Sequence, residues 1–205
     1  MSNECNFIEQ YHINESLCDR FINFFESSDN SLKEDMSFTN RGYTAIFDVL
    51  NKVDVNLKED YEYEISKIIN SYKKKYVYSH TLTSKFELHP KVNLQKYMPG
   101  DFYSSWHTEN VGFPNFSSKR HLVFMTYLNN VGKGGETEFF YQNIKIKPKK
   151  GLTLIWPTQW THTHKGLPCT TEKYVMTGWF SFSGYYVVPS EWIDNIQKIN
   201  REELQ

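Results

Sequence analysis

Residues 121–157 read HLVFMTYLNNVGKGGETEFFYQNIKIKPKKGLTLIWP. Three short runs rich in β-branched and aromatic residues, HLVFMTYLNNV, GETEFFYQNIKIKP and GLTLIWP, are separated by the turn-forming clusters VGKGGE and KPKKG. Many short strands with such punctuation build a sandwich or barrel rather than a parallel sheet with crossover helices. The pattern extends both ways. Upstream, TLTSKFELHPKVNLQKY alternates and ends at MPGD; downstream, KGLP is followed by the run KYVMTGWFSFSGYY. GKGGETEF lacks the GxxxxGK[ST] spacing of a phosphate-binding loop and no long helix follows, so it reads as a β-turn.

The first third has a different period. Asn14 stands before ESLCDRFINFFES, where Leu17, Phe21, Phe24 and Phe25 fall at helical spacing, so Asn14 is the expected cap. SLKEDMSFTNRG (31–42) is polar and reads as a loop. In LKEDYEYEISKIINSYKKKY, residues Tyr61, Ile65, Ile68, Ile69 and Tyr72 share one face of a second amphipathic helix, whose KKK end (73–75) complements the helix dipole. The tail SEWIDNIQKINREELQ reads as a short helix. No repeat, low-complexity segment or long linker divides the chain. The expected fold class is α+β, mainly β: one domain over 1–205, with helical support in 1–79, a jelly-roll core in 80–188 and a C-terminal helix in 189–205.

Composition bounds the function. With 205 residues the chain can bury one substantial core. The net charge of -1, from 23 basic and 24 acidic residues, supplies no field to attract nucleic acid or anionic lipid. Aromatic residues make up 17% of the chain, enough to fill a core and line a pocket. Three cysteines, Cys5, Cys18 and Cys169, form no CxxC pair and exclude a disulfide framework. MSNECNFIEQ lacks the basic start and apolar core of a signal peptide, and no apolar run approaches membrane-spanning length. The cytoplasm is the expected location, with no membrane or nucleic-acid partner.

Two places concentrate metal-binding chemistry. YMPGDFYSSWHTEN (97–110) places His107 two residues before Glu109, and GLTLIWPTQWTHTHKGLP carries His162 and His164 after an apolar run. In extended backbone, residues i and i+2 point to the same face, so His107 and Glu109 can grip one ion from one strand edge. With one imidazole from the second segment, His162 or His164, they make a 2-His-1-carboxylate triad, which leaves positions open on the far side of a non-haem Fe(II). HExxH and clustered thiolates are both absent, which disfavours a helical zinc protease and a structural zinc site. The competing reading is of histidines held neutral by backbone carbonyls for structural reasons.

The order Tyr97, Tyr103, His107-x-Glu109, then Arg120 and Tyr127-Leu128-Asn129, then GGETEF (134–139), then His164-x-Gly166-x-Pro168 and Lys173-Tyr174 resembles the prolyl 4-hydroxylase-like dioxygenases dependent on 2-oxoglutarate and Fe(II). The resemblance covers about residues 85–184. It implies a double-stranded β-helix buttressed by N-terminal helices, with His107, Glu109 and His164 as catalytic iron ligands. His164 is preferred because the family's distal histidine precedes a proline by four residues, as His164 precedes Pro168; His162 stays a possible ligand or supporting partner. Glu109 stands where most of the family has Asp, and Lys173 follows His164 by nine residues, one fewer than the commonest form.

The resemblance also assigns the co-substrate pocket. A 2-oxoacid chelates the metal at one end, and its far carboxylate needs a cation inside an apolar barrel, the role implied for Lys173. Tyr97 and Tyr127 match tyrosines that line this pocket. Arg120 is expected in a salt bridge at a strand start, and Trp106 and Trp179 are candidates for the channel wall. The implied reaction decarboxylates 2-oxoglutarate to succinate and CO2 while O2 hydroxylates a C–H of an amino-acid side chain, with peptidyl proline the leading substrate and ascorbate the expected reductant. The rival is a non-catalytic jelly-roll module that binds carbohydrate or peptide, since a fold does not fix a function.

Overall fold

The first helix starts where the sequence places its cap, at Asn14. In a computed structural model, which describes residues 5–36, 42–112 and 116–183, helix α1 spans Glu15–Ser27, and the Asn14 side chain accepts from the Ser16 N–H at 3.0 Å. Its buried face is Leu17, Cys18, Phe21 and Phe25; Phe24, expected on that face, is only partly buried. Helix α2 spans Val55–Lys75, is capped by Asp54 through the Leu57 N–H at 2.9 Å, and buries Tyr61, Ile65, Ile68, Ile69 and Tyr72. The two meet edge to face at Phe21 and Tyr61, 5.1 Å between centroids.

The strands form two antiparallel sheets. In chain order they are β1 (Glu9–His12), β2 (Glu34–Asp35), β3 (Thr44–Ile46), β4 (Phe86–Leu88), β5 (Asn93–Tyr97), β6 (Arg120–Tyr127), β7 (Thr137–Phe139), β8 (Ile144–Ile146), β9 (Leu152–Pro157), β10 (His164–Gly166) and β11 (Lys173–Phe182). The large sheet runs β1-β9-β6-β11-β5-β3-β2, with β4 on the end of β11; the small sheet runs β10-β7-β8.

Strand β11 divides the molecule by its period of two. Tyr174, Met176 and Phe180 pack with Phe21, Phe25 and Tyr61 in one core under the helices. Val175 and Trp179 belong to a second core, where Tyr97, Val123 and Trp156 of the large sheet meet Phe139 and Ile146 of the small one. The result is a double-stranded β-helix, mainly β, with helices outside the large sheet. Gly178 lies opposite Phe124, and a Cβ there would sit 2.3 Å from the Phe124 ring, so the strand crosses this point only without a side chain.

The front of the chain holds more strand than its composition suggests. Strand β1 pairs with β9 through Glu9↔Ile155 to His12↔Leu152, and β3 pairs with β5, while Glu34–Asp35, expected in a loop, pairs with β3. EQYH and ED carry no apolar alternation, because they cover sheet edges and are held by backbone pairing rather than by buried side chains. The expected helix at 189–205 lies outside the described residues.

Candidate active site

His107 and His164 are joined through their backbones. Each donates its N–H to the other's carbonyl at 3.0 Å, an isolated antiparallel bridge that brings the loop after β5 onto the start of β10. The next residues are held as firmly: the Thr108 hydroxyl donates to the Thr158 carbonyl at 2.6 Å, and the Glu109 N–H donates to it at 3.2 Å. The His107 ring lies between Tyr103 and His164, 4.2 Å from each centroid to centroid.

The hydrogen bonds settle which ring nitrogens are free. His107 Nδ1 is 3.0 Å from the Ser105 carbonyl and His164 Nδ1 is 2.9 Å from the His162 carbonyl. A carbonyl only accepts, so each Nδ1 carries a proton, and the Nε2 of each ring is the atom placed to offer a lone pair to a metal. Those Nε2 atoms lie 3.5 and 3.8 Å from the same atom, Glu109 Oε1. One ligand atom from each of the three residues lies within 4.8 Å of the others. The other carboxylate oxygen, Oε2, accepts from Arg120 Nη1 and Trp179 Nε1, each at 3.0 Å, with the guanidinium stacked 3.6 Å over the Trp179 ring.

The charges suit a cation. Burial, the largest influence, pushes the Glu109 carboxyl up, but His107, His164 and Arg120 together hold it at about 2. Burial and then His107 hold His164 down to about 4. His164 is therefore neutral near pH 7, and Arg120 and the Trp179 N–H contact the anion directly. Two imidazole lone pairs and one carboxylate oxygen, each with its other atom already occupied, fit one divalent metal; ligand bonds of about 2.1 Å span separations of this order.

His162 is not part of this set. Its Nε2 meets the Asn6 carbonyl at 2.9 Å and its Nδ1 the Thr161 hydroxyl at 3.0 Å, so both nitrogens are engaged; it supports the site by accepting from His164 Nδ1 with its own carbonyl.

The triad opens on a cavity of about 580 Å³ that Lys173, Tyr97, Thr137, Trp156 and Trp179 also line. Lys173, paired in register with Tyr97, is 4% exposed. Its ammonium donates to the Gly135 carbonyl at 3.2 Å, lies 4.5 Å over the Tyr97 ring, and is pushed down to about 8 by burial. Gly135 has a φ of +73°, and a Cβ there would approach Lys173 Cδ to 3.3 Å, so the GKGGE turn can wrap the lysine only with glycine at this position.

Tyr127 requires a correction. It is fully buried behind the cavity wall, its hydroxyl on Thr137 Oγ1 at 2.6 Å and the Ile146 carbonyl at 3.3 Å, and it does not line the cavity. Its aromatic bulk is core packing, and Thr137 is the residue that faces inward. Trp106 also stands outside, 40% exposed. The salt bridge expected for Arg120 at a strand start is present, but sequence reading missed that its partner is Glu109, shared with Trp179, and missed the inward place of Trp156. The first had a signal: Lys173, Val175, Thr177 and Trp179 alternate along one strand, so a lysine in the pocket brings the tryptophan with it. Trp156 has a buried indole N–H with no partner among the described residues, and its ring is 5.0 Å from that of His164.

Comparison with known proteins agrees with this geometry. Residues 92–181 match the family model of the 2OG-Fe(II) oxygenase superfamily. The chain is 27% identical over 169 residues to a putative prolyl 4-hydroxylase of Acanthamoeba polyphaga mimivirus, covering 72% of this chain and 68% of that one. Its fold is similar to the viral collagen prolyl hydroxylase of Paramecium bursaria Chlorella virus-1, solved as a 2OG complex (TM-score 0.63, 21% identity, 87% of this chain and 97% of the other). It is also similar to a Trichoplax adhaerens prolyl hydroxylase solved with a hypoxia-inducible-factor peptide fragment (TM-score 0.60, 17% identity, 86% and 84%). Residues 92–181 thus resemble the 2OG-Fe(II) oxygenase superfamily, and the fold of the chain is the one these prolyl hydroxylases share.

Proposed function

We propose that this chain hydroxylates a C–H bond of an amino-acid side chain in a peptide, with peptidyl proline the leading substrate, and that it consumes 2-oxoglutarate and O2 to give succinate and CO2. The observation that carries the reading is the shared cavity: one wall offers two imidazole lone pairs and a carboxylate, and another offers a buried lysine beside an aromatic ring. A binding module for carbohydrate or peptide has no use for a desolvated cation facing an open metal triad. Relatives named for prolyl hydroxylation, one solved with a peptide fragment, support the substrate class.

His107 Nε2, Glu109 Oε1 and His164 Nε2 would hold the metal, which supplies the oxygen activation and one-electron chemistry that side chains lack. The residues of the chain do the rest. Arg120 and Trp179 keep Oε2 occupied, so Glu109 turns one oxygen to the site and remains an anion. Lys173 would pair with the far carboxylate of 2-oxoglutarate, exchanging a weak contact with the Gly135 carbonyl for a full charge partner. The Thr137 hydroxyl and the Trp156 N–H are further polar groups on the lining residues. Apolar walls at Trp156, Val175 and Trp179 exclude water, which strengthens each of these interactions.

Ascorbate is the expected reductant for returning the metal to its ferrous form. The described residues include no helix long and apolar enough to cross a membrane; the three free cysteines suit a reducing compartment, the cytoplasm. The test is succinate formation from 2-oxoglutarate with Fe(II) and ascorbate, together with a mass gain of one oxygen on proline-containing peptides. Turnover on such peptides supports the reading; absence of a thermal shift with Mn(II) plus N-oxalylglycine overturns it.

A further inference from the structure

A cleft of about 270 Å³ lies between β1 and β8, the outer strands of the two sheets, and every ionisable side chain that lines it among the described residues is basic. Lys145, Lys147 and Lys149 come from the run IKIKPK, in which exposed and covered positions alternate and Ile146 and Pro148 turn inward. At about 3.3 Å per residue, successive lysines stand roughly 6.6 Å apart on one face. Gln10 and His12 face the same cleft from β1, two residues apart and both exposed.

Main-chain bonds fix this arrangement. His12 pairs with Leu152, whose N–H donates to the Lys149 carbonyl at 3.0 Å, and the Ile13 N–H donates to the Gly151 carbonyl at 3.0 Å. The turn that carries Lys149 is therefore clamped to β1, and the bases are brought together without an acid to draw them. Lys145 also reaches Glu138, at 3.2 Å, but Lys147 and Lys149 have no ion pair among the described residues. Like charges held this close repel, and the chain, with 24 acidic residues, lines the cleft with none of them. A lysine on an edge strand deters pairing with another sheet, which accounts for Lys145. Lys147 and Lys149 lie beyond β8, and His12 belongs to the other sheet.

We propose that this cleft binds a compact anion with two or more negative charges, a phosphate or pyrophosphate group, either free or on a lipid headgroup. Two unpaired ammonium groups with a third at the rim match a multiply charged group, whereas a single carboxylate would leave much of the repulsion in place. The Gln10 carboxamide has no hydrogen-bonding partner among the described residues and offers neutral N–H donors to the remaining oxygens. A long polyanion fits less well: the lysine row spans only roughly 13 Å, and a net charge of -1 supplies no wider field to steer one. The cleft shares no residue with the lining of the catalytic cavity, so the proposal stands apart from the reading of the chain as a hydroxylase.

The test titrates pyrophosphate calorimetrically into metal-free protein, so that no ion in the catalytic cavity chelates it. The proteins are the wild type, Lys147→Gln/Lys149→Gln, Lys147→Gln alone should the double variant not fold, and Lys173→Met, which removes the cation of the catalytic cavity. The expected result is equal binding by the wild type and Lys173→Met, weakened at least tenfold in the double variant and severalfold in the single one. Binding to the wild type also weakens as NaCl rises from about 50 mM to about 500 mM. Vesicles of phosphatidylcholine, with and without about 5% phosphatidylinositol bisphosphate, separate the two sources. Sedimentation with the phosphoinositide vesicles alone, lost in the double variant, makes the anion a headgroup; pyrophosphate binding without sedimentation makes it a free phosphate, and either upholds the site. Three results overturn it: neither pyrophosphate binding nor sedimentation, equal pyrophosphate binding by the wild type and the double variant, or a single-stranded oligonucleotide held by these lysines more tightly than pyrophosphate.

Discussion

Replacing Lys173 with Met keeps an unbranched side chain of similar volume and removes the charge, so stability and co-substrate affinity should move in opposite directions. Burial pulls the ammonium from 10.5 to about 8; at ~1.4 kcal/mol per tenfold, keeping it charged costs the ligand-free fold roughly 3 kcal/mol. The variant leaves the Gly135 carbonyl without this donor, a loss of about 1 kcal/mol. The net gain is roughly 2 kcal/mol, or about 4–8 °C in Tm for a chain of this size. Affinity for 2-oxoglutarate should fall by about 100-fold, since removing one partner strands a buried charge at a cost of ~3 kcal/mol or more.

The pH dependence follows from the same lysine. Its folded pKa is depressed, so between about 8 and 10.5 the unfolded chain binds more protons than the folded one, and wild-type stability attributable to Lys173 rises with pH across that window. Co-substrate affinity falls over the same range as the ammonium discharges, and the Met variant loses both trends. Thermal melts with and without 2-oxoglutarate and Mn(II), combined with calorimetric titration, read both quantities. A Lys173→Met protein that melts lower and binds 2-oxoglutarate as the wild type does would refute the reasoning, and make the lysine a structural donor to the GKGGE turn.

Further substitutions separate the parts of the site. Arg120→Met removes the donor that holds Glu109 Oε2 and should weaken Mn(II) binding 10- to 100-fold by calorimetry, because partners that orient a ligand matter nearly as much as the ligand. Trp156→Phe retains the edge-to-face packing on Phe139 at 5.3 Å and removes a buried N–H without a partner; urea denaturation should find the ligand-free protein more stable by about 1 kcal/mol. Gly178→Ala drives a methyl group to 2.3 Å from the Phe124 ring and should cost about 1–3 kcal/mol in the same assay.

Different signals made different parts of this protein readable. Helix α2 was visible because Tyr61, Ile65, Ile68, Ile69 and Tyr72 repeat at helical spacing, and the central strands because they are long enough to show β-branched and aromatic character. The edge strands at Glu9–His12 and Glu34–Asp35 were not, since backbone pairing alone defines them. His107 and Glu109 declared themselves by their i, i+2 spacing, and His164 was preferred to His162 by its spacing to Pro168; the hydrogen bonds add the physical reason, since His162 has both nitrogens engaged. Tyr97 and Tyr127 look alike as letters in strands. One lies under the Lys173 ammonium and the other behind Thr137, a difference decided by which sheet face each occupies.

The central claim, that His107, Glu109 and His164 share one ion beside Lys173, is tested most directly by anomalous diffraction from crystals grown with Mn(II) and N-oxalylglycine. The account predicts a single manganese bound to His107 Nε2, Glu109 Oε1 and His164 Nε2, with the inhibitor's far carboxylate on the Lys173 ammonium. Manganese bound elsewhere, or at this cavity without either histidine, would contradict it.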